Sequence, residues 1–249
     1  MAIIIKTQKQ IDGIRKACQF AASILDMIQP FVVEGVTTDE LNRIIHQFHI
    51  EHGAIPAPLG YKGFPKSVCI SINEVICHGI PDSTVLKSGD IVNIDVTPIL
   101  DGFYGDTSRM YAVGKIELAA EELIDATKQA LDLGIKQVKP GNHFGAIGFA
   151  ITEYAEAKGY SVVYQFVGHG TGVRFHEEPG VNHYCKDPNS GPVMEEGMIF
   201  TIEPMINMGE AEGMISKRDG WTATTLDGKL SAQFEHCVLV TKNGVEVLT

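Results

Sequence analysis

Two stretches of this chain match each other without a gap, and this internal repeat most constrains its fold. Residues 85–95 (VLKSGDIVNID) align with residues 193–203 (VMEEGMIFTIE), with an offset of 193 − 85 = 203 − 95 = 108. Each copy has a glycine turn, an apolar strand and a final carboxylate, Asp95 or Glu203, with a proline close behind it. Such self-similarity indicates that one structural unit is used twice.

A second pair of acids continues the repeat. Asp106 ends the segment FYGD and Glu235 ends the segment AQFE, and each opens a strand that stops at a glycine. We therefore predict a single domain, residues 1–249, made of pseudo-halves at about 1–115 and 116–249. Each half would supply two carboxylates from neighbouring strands. Chance similarity over eleven residues is the alternative.

Composition excludes several classes of protein. The chain has 249 residues, of which 44% are apolar and 20% charged, enough for one large domain with its own core. A net charge of −11 argues against nucleic-acid binding as the main function. The five cysteines form no CxxC motif, which favours reduced thiols in a cytosol. The sequence contains no run of about 18 apolar residues, so we predict no membrane span.

The order of predicted elements is helices, strands, helices, strands, which indicates an α+β fold. The predicted helices cover 7–28, 37–53, 117–138 and 143–158; the predicted strands cover 67–72, 91–96 and 107–113, and residues 160–249 are strand-rich. Thr37 and Glu40 predict a capping box at the start of the second helix. We interpret His46, His49 and His52 on that helix as solvated or capping side chains.

Asp95, Glu203 and Glu235 lie at apolar strand positions, where a carboxylate is costly unless it is paired, protonated or metal-bound. Buried salt bridges are the alternative, but only Arg109 lies near any of these acids in sequence. Divalent cations prefer oxygen ligands, and carboxylates can bridge two of them. Four carboxylates with one or two histidines predict a dinuclear metal site.

The histidine ligand is most readily found in the glycine-rich segment 167–176. Glycines on both sides of His169 let the backbone approach a metal. A simple glycine turn or a phosphate loop is the alternative, although no GK[ST] ending follows. His78 fits a ligand, a proton shuttle or a turn histidine equally well. Cys69 and Cys77 suit buried inert thiols better than a nucleophile.

Seven motifs together resemble those of the type I methionine aminopeptidases, which are metallopeptidases of the pita-bread fold. They lie at 60–81, 93–95, 104–108, 168–172, 200–204, 219–221 and 231–236, span nearly the whole chain and occur in the family's order. The resemblance implies a pseudo-twofold α+β fold with a central curved, largely antiparallel sheet and helices on its outer face. The lack of a Cys-rich N-terminal extension and of the type II insertion favours the bacterial type.

The resemblance also implies roles for the metal-site residues. Asp95 would serve one metal, His169 and Glu203 the other, and Asp106 and Glu235 would bridge both. Glu203 would be the general base for a metal-bridging hydroxide. His169 has no counterpart that we find in the other half.

Further implied roles concern the substrate. His78 and His176 would bind and polarise the scissile amide. The methionine pocket would consist of Tyr61, Phe64, Cys69, Phe175 and Trp221, and such an apolar, aromatic lining suits a thioether. Asn73, Val75 and Ser231 match a monovalent-cation site. Lys62, Phe64 and Cys237 depart from the family's common residues, which leaves fine substrate preference open.

The implied function is removal of the initiator methionine from nascent proteins when the second residue is small. We expect two divalent ions (Mn, Fe, Co or Zn), a cytoplasmic monomer, no membrane or direct nucleic-acid recognition, and an optional contact with the ribosome. The alternatives are a non-catalytic pita-bread binding module, a prolidase or Xaa-Pro aminopeptidase, and a metal-free hydrolase that uses paired carboxylates.

Overall fold

Four helices and two single 3-10 turns are found in the computed structural model, which describes residues 2–249. The helices are α1 Gln8–Ile28, α2 Thr38–Glu51, α3 Leu118–Ile135 and α4 Gly145–Ala157, and the 3-10 turns are Gln29–Phe31 and Tyr61–Gly63. All four predicted helices are therefore confirmed, each one to four residues shorter than its predicted range.

The strands are short and fall into two groups, one before α3 and one after α4. The first group is β1 Ile55–Pro56, β2 Cys69–Ile72, β3 Val75–Cys77, β4 Ile91–Val96, β5 Pro98–Leu100, β6 Phe103–Tyr104 and β7 Thr107–Ala112. The second group is β8 Ser161–Val162, β9 Gly168–Gly170, β10 Glu177–Val181, β11 Ile199–Ile202, β12 Met205–Asn207, β13 Gly213–Ile215, β14 Ala223–Thr225, β15 Ser231–Gln233, β16 His236–Thr241 and β17 Gly244–Val247.

The capping box lies on a different helix from the predicted one. At α2 the Thr37 side chain accepts a hydrogen bond from the Glu40 amide, but the Glu40 carboxylate pairs with Arg43 instead of returning to Thr37. A complete capping box forms at α1, where Thr7 and Gln10 satisfy each other's backbone amides. Arg43 lies three residues after Glu40 and competes with the Thr37 amide for its carboxylate, so the capping box predicted at α2 does not form.

The histidines of α2 are also less uniform than expected. His46 Nδ1 lies 2.8 Å from Ser67 Oγ, and His52 is exposed. His49 is fully buried, with Nδ1 2.8 Å from the Ile45 carbonyl and its ring against Phe20. The expectation of solvation is therefore wrong for His49, which belongs to the α1–α2 interface.

All strand pairs are antiparallel, and two three-stranded arrangements correspond to each other. The sheet β2-β4-β7 has its counterpart in β9-β11-β16, which forms the middle of the five-stranded sheet β10-β9-β11-β16-β17. β4 and β11 begin at Ile91 and Ile199, which are 199 − 91 = 108 residues apart. The repeat predicted from the sequence thus falls on equivalent central strands. Three further three-stranded sheets, β1-β5-β6, β15-β12-β8 and β13-β14-β3, complete the arrangement.

Each pair of helices packs beside its own set of strands through buried apolar side chains. Ile24 of α1 and Ile45 of α2 belong to the same buried cluster as Val92 and Ile94 of β4. The corresponding cluster of the second half joins α3 and α4 to β11 and β16. Each fully buried isoleucine contributes about 1.5–3 kcal/mol relative to exposure, so these faces anchor the helices.

The two halves meet at a seam next to the acidic residues. The Glu235 amide donates to the Ser108 carbonyl at 3.1 Å, and Thr107 Oγ1 donates to the Glu235 carbonyl at 2.7 Å. Asn93 Nδ2 donates to the Gln233 carbonyl at 2.8 Å. These bonds fix β4 and β7 of the first half against the segment that leads into β16. Among the described residues, none of the helices has the length and apolar character needed to cross a membrane.

Candidate active site

The four repeat-related carboxylates lie at strand ends on the two sides of the seam. Asp95 is the next-to-last residue of β4, and Asp106 directly precedes β7. Glu203 directly follows β11, and Glu235 directly precedes β16. Carboxylate oxygens of Asp95, Asp106 and Glu235 lie within 4.8 Å of one another. The repeat therefore brings acids from both halves into one cluster.

His169 completes this cluster. Its Nε2 lies 3.6 Å from Asp106 Oδ2 and 3.8 Å from Glu203 Oε1. Its Nδ1 lies 2.9 Å from the Gly170 carbonyl, which can only accept a hydrogen bond. Nδ1 therefore carries the proton, and the Nε2 lone pair faces the carboxylates. All five residues that the resemblance implied as ligands lie together.

Salt bridges do not explain the buried acids. Within residues 2–249, no lysine or arginine forms an ion pair with any of the four carboxylates. Arg109, the nearest basic residue in sequence, pairs with Asp26 at 2.7 Å. The interpretation of these acids as structural ion pairs is therefore wrong.

Burial without a counter-charge favours the protonated form of these acids. It raises the pKa of Asp95 to about 7 and that of Glu203 to about 8. For Asp106 and Glu235, burial followed by the neighbouring carboxylates raises the pKa well above its ordinary value. A bound cation would reverse this balance, because it stabilises the ionised form.

The donor set fits divalent cations. Oxygen and imidazole ligands lie about 2.0–2.2 Å from a bound metal, so two ligand atoms of one ion are roughly 4 Å apart at most. The 3.6 Å separation of His169 Nε2 from Asp106 meets that requirement, and the oxygens of the three clustered carboxylates, within 4.8 Å of one another, come close to it. An oxygen-rich site with one histidine suits several divalent metals and selects none of them.

Two threonine hydroxyls hold the carboxylates in place. Thr97 Oγ1 donates to Asp106 Oδ1 at 2.7 Å, and Thr201 Oγ1 donates to Glu203 Oε1 at 2.8 Å. Thr201 Oγ1 also accepts the His169 amide at 3.0 Å. Sequence analysis missed both threonines. A polar residue inside the apolar run of β11 was the available sign for Thr201.

Glu203 has two further partners that the sequence did not indicate. His183 Nε2 accepts the Glu203 amide at 3.0 Å, and Gln233 Nε2 donates to Glu203 Oε2 at 3.3 Å. His183 is buried, and burial lowers its pKa to about 3, so its ring is neutral. Nothing in the local sequence distinguishes His183 from an ordinary loop histidine.

A cavity of about 420 Å³ joins the acidic cluster to an apolar, aromatic wall. All of the predicted substrate-binding residues line it: Tyr61, Phe64, Cys69, His78, Phe175, His176 and Trp221. Tyr61 and Phe175 have ring centroids 4.8 Å apart, and Phe64 meets Trp221 edge-on at 5.2 Å. The lining residues that we did not predict are Pro58, Lys62, Thr97, Gln165, Phe166, Val167 and Met205.

His78 and His176 both face this cavity as neutral rings. Burial lowers the pKa of His78, and burial with the nearby His169 lowers the pKa of His176 to about 3. The His176 ring centroid lies 4.1 Å from that of His169. His78 has a φ of +57°, a strained backbone conformation of the kind that clusters at functional sites.

The thiols of Cys69 and Cys77 are poor candidates for a nucleophile. Both residues are buried, and burial raises the pKa of both thiols well above the ordinary value. They stay protonated at neutral pH, and a thiol is far less nucleophilic than a thiolate.

The residues expected to hold a monovalent cation lie together outside the cavity. The Ser231 amide donates to the Asn73 carbonyl at 2.9 Å, and Val75 begins β3 close by. Within residues 2–249, the buried side-chain oxygens Ser231 Oγ and Asn207 Oδ1 have no hydrogen-bond partner.

Comparison with known proteins agrees with this geometry. The model of metallopeptidase family M24 matches residues 12–242. The methionine aminopeptidase of Rickettsia prowazekii is 53% identical over 249 residues, which cover all of this chain and 96% of that protein. That of Salmonella typhimurium is 55% identical over 251 residues, covering all of this chain and 94% of the relative.

Solved structures show the same relationship. The crystal structure of the Rickettsia prowazekii enzyme superposes with a TM-score of 0.98 over the whole of both chains. The prolidase from Pyrococcus horikoshii, at 23% identity, shares the fold alone, with a TM-score of 0.78 over 99% of this chain and 63% of that one. The chain therefore belongs to metallopeptidase family M24 and, within it, to the methionine aminopeptidases of the pita-bread fold.

Proposed function

We propose that the cavity hydrolyses the peptide bond after an N-terminal methionine when the second residue is small. The observation that carries this proposal is one cavity with two walls of different chemistry. The buried carboxylates and His169 line one wall. The other wall is apolar and aromatic, a lining that suits the thioether of a methionine side chain. The matches to methionine aminopeptidases support the same substrate.

Asp95, Asp106, His169, Glu203 and Glu235 would hold two divalent cations in this proposal. When bound, the cations would lower the pKa of a shared water and polarise the scissile carbonyl. Mn, Fe, Co and Zn all suit the donor set. The absence of lysine or arginine partners for the acids within residues 2–249 supports this assignment.

Glu203 acts as the general base in our proposal. Its carboxylate accepts a proton from the water that attacks the carbonyl carbon, and it returns that proton to the leaving nitrogen as the C–N bond breaks. The hydrogen bonds from Thr201 and Gln233 hold both of its oxygens, which restricts the carboxylate to one orientation. Such restriction favours proton transfer along a fixed line.

His78 and His176 contact the scissile amide in our proposal. Both rings are neutral, so each can donate one N–H without placing a positive charge beside the metals. A hydrogen bond to the carbonyl oxygen strengthens as that oxygen gains negative charge in the transition state. Tyr61, Phe64 and Trp221 would meanwhile enclose the methionine side chain together with Cys69 and Phe175.

We also propose a monovalent cation near Asn73, Val75 and Ser231. The unpartnered oxygens Ser231 Oγ and Asn207 Oδ1 support it, because buried oxygens without donors favour a cation or a water.

Nascent polypeptide N-termini in the cytoplasm are the proposed substrates, with the ribosome as a further partner. We propose that the chain acts as a monomer, since residues of one chain line the whole cavity. A net charge of −11 supports the absence of direct nucleic-acid recognition.

Peptide hydrolysis tests the proposal. Met-Ala-Ser and Met-Lys-Ser are incubated with protein that has been stripped with EDTA and reloaded with Mn²⁺ or Co²⁺. We expect cleavage of Met-Ala-Ser only, and only after metal is restored. No cleavage of Met-Ala-Ser at any metal loading would contradict the proposed function, and cleavage by EDTA-stripped protein would indicate a metal-free hydrolase.

A further inference from the structure

The Lys6–Glu177 ion pair connects the N-terminal segment to a loop of the active site. Lys6 Nζ lies 2.5 Å from Glu177 Oε2, and each side chain is only 1% exposed. By contrast, the arginine of the Arg15–Glu246 pair is 29% exposed. Burying two charges is costly, and replacing a buried ion pair by apolar residues is often neutral or stabilising. Stability alone therefore does not explain the pair.

Glu177 also binds the loop between β9 and β10, which we name the 171–176 loop. Its Oε1 accepts hydrogen bonds from the amides of Val173 and Arg174, both at 2.8 Å. The hydroxyl of Thr171 donates to the Phe175 carbonyl at 3.0 Å, which closes the loop on itself. One carboxylate thus holds Lys6 with one oxygen and the loop backbone with the other.

The 171–176 loop ends in two residues that face the cavity, Phe175 and His176. His176 directly precedes Glu177 in the chain, so the position of the Glu177 carboxylate limits where the His176 ring can lie. Lys6 is fixed in turn, because its amide donates to the Gly197 carbonyl at 2.9 Å just before β11. The pair therefore connects the loop to the strand that leads to Glu203.

We propose that Lys6 and Glu177 are positioning residues that hold the 171–176 loop so that His176 and Phe175 meet the substrate. Neither side chain touches the substrate; both act through the loop. This inference rests on the proposed function, because it assigns a purpose to the placement of His176. A shift of about 1 Å in a substrate-contacting group can cost about a hundredfold in rate.

The proposal is tested by measuring kcat/KM for Met-Ala-Ser with the variants Lys6→Met and Lys6→Arg. Arg15→Met serves as the control. We expect Lys6→Met to lose about tenfold to a hundredfold in kcat/KM, at a temperature where thermal melts show it folded. Lys6→Arg, which keeps the charge, should recover most of that loss. Arg15→Met also breaks an ion pair of the N-terminal region but not one that reaches the loop, so it should stay within about twofold of wild type. Full activity of Lys6→Met would overturn the proposal.

A double-mutant cycle separates positioning from a general structural role. If Lys6 acts through the loop, adding Lys6→Met to the Phe175→Ala/His176→Ala variant should lower kcat/KM by less than about twofold more. If the combined variant instead shows the product of the two separate losses in kcat/KM, the proposal is overturned. Should Lys6→Met fail to fold, Lys6→Met/Glu177→Gln carries no unpaired buried charge and enters the same cycle.

Amide hydrogen exchange of the metal-free protein provides a readout without activity. We expect the Val173 and Arg174 amides to exchange at least about tenfold faster in Lys6→Met than in wild type or Arg15→Met. Unchanged exchange would overturn the proposal. If wild type fails to cleave Met-Ala-Ser, the proposed function fails, whereas the exchange measurement still decides whether Lys6 holds the loop.

Discussion

The two halves of the molecule present equivalent strands to the site, but they do not contribute the same side chains. In the sheet β2-β4-β7, Asp95 lies near the end of β4 and Asp106 lies just before β7. In the strands β9-β11-β16, Glu203 lies just after β11 and Glu235 lies just before β16. Only the second half adds an imidazole, that of His169, to the carboxylate cluster. The acids therefore come as one pair from each half, whereas the imidazole of their cluster comes from one half alone.

Strand register identifies what occupies the place of His169 in the first half. Gly170 lies opposite Phe200, which places His169 opposite Thr201. Ser71 lies opposite Asn93, and 201 − 93 = 108, the offset of the repeat. Ser71 is therefore the counterpart of His169, a match that the sequence comparison did not find. The two segments share a strand position but little sequence.

The largest expected effect comes from removing one charge on each side of the seam. We expect Asp106→Asn and Glu235→Gln each to lower kcat/KM by about a thousandfold or more, because each would remove several kcal/mol of metal-dependent stabilisation. Comparable losses would confirm that the halves share one site. Steady-state kinetics on Met-Ala-Ser with saturating Mn²⁺ measures this.

Asp26→Asn is the matched control for these charge removals. Asp26 pairs with Arg109 away from the cavity, so its neutralisation should change kcat/KM by less than about twofold. A large loss in only one of the two site variants would show that the metal centre belongs to a single half.

The acids of the site could be predicted from the sequence, whereas the residues that hold them in place could not. A carboxylate at the end of an apolar strand is unusual, and this made the acids predictable. In addition, Asp95 and Glu203 occupy the same position in the two copies of the repeat. Thr97 and Gln233 were not predictable, since a hydroxyl or amide beside a strand has many ordinary uses. Lys6 was equally hidden, because its partner lies 171 residues away and neither residue stands in a recognisable local pattern.

A smaller effect is expected from the histidine and its counterpart. His169→Ala should lower kcat/KM by about a hundredfold, because the proposed metal site would lose its nitrogen ligand. Ser71→Ala should lose about fivefold or less, since the Ser71 hydroxyl only accepts a hydrogen bond from the Gly79 amide at 3.2 Å. Metal titration calorimetry alongside kinetics distinguishes the two. Equal losses would show that the halves contribute more symmetrically than their side chains suggest.

The smallest effect concerns stability and pH in the metal-free protein. The folded-state pKa values of Asp95 and Glu203, about 7 and about 8, exceed their ordinary values. Stability is therefore full at low pH and is lost as pH rises through these values, by about 1.4 kcal/mol for each unit of pKa difference. Thermal melts from pH 5.5 to 8.5 should show Tm falling by about 10 °C or more, at about 2–4 °C per kcal/mol.

Bound metal and single variants sharpen this pH test. Saturating Mn²⁺ should flatten the fall in Tm, because the cations stabilise the ionised carboxylates. Glu203→Gln should flatten the upper part of the curve and Asp95→Asn the lower part. A Tm that rises with pH in the metal-free protein would contradict the assignment of these acids as buried and uncompensated.

The seam has a consequence for the order in which the molecule assembles. Its bonds join residues far apart along the chain, 128 positions for Thr107 and Glu235 and 140 for Asn93 and Gln233. Contacts of such long range close large loops and form slowly, whereas helices such as α1 require only near neighbours. We therefore expect competence to bind metal to appear late in folding, because the site is complete only when these distant segments have met.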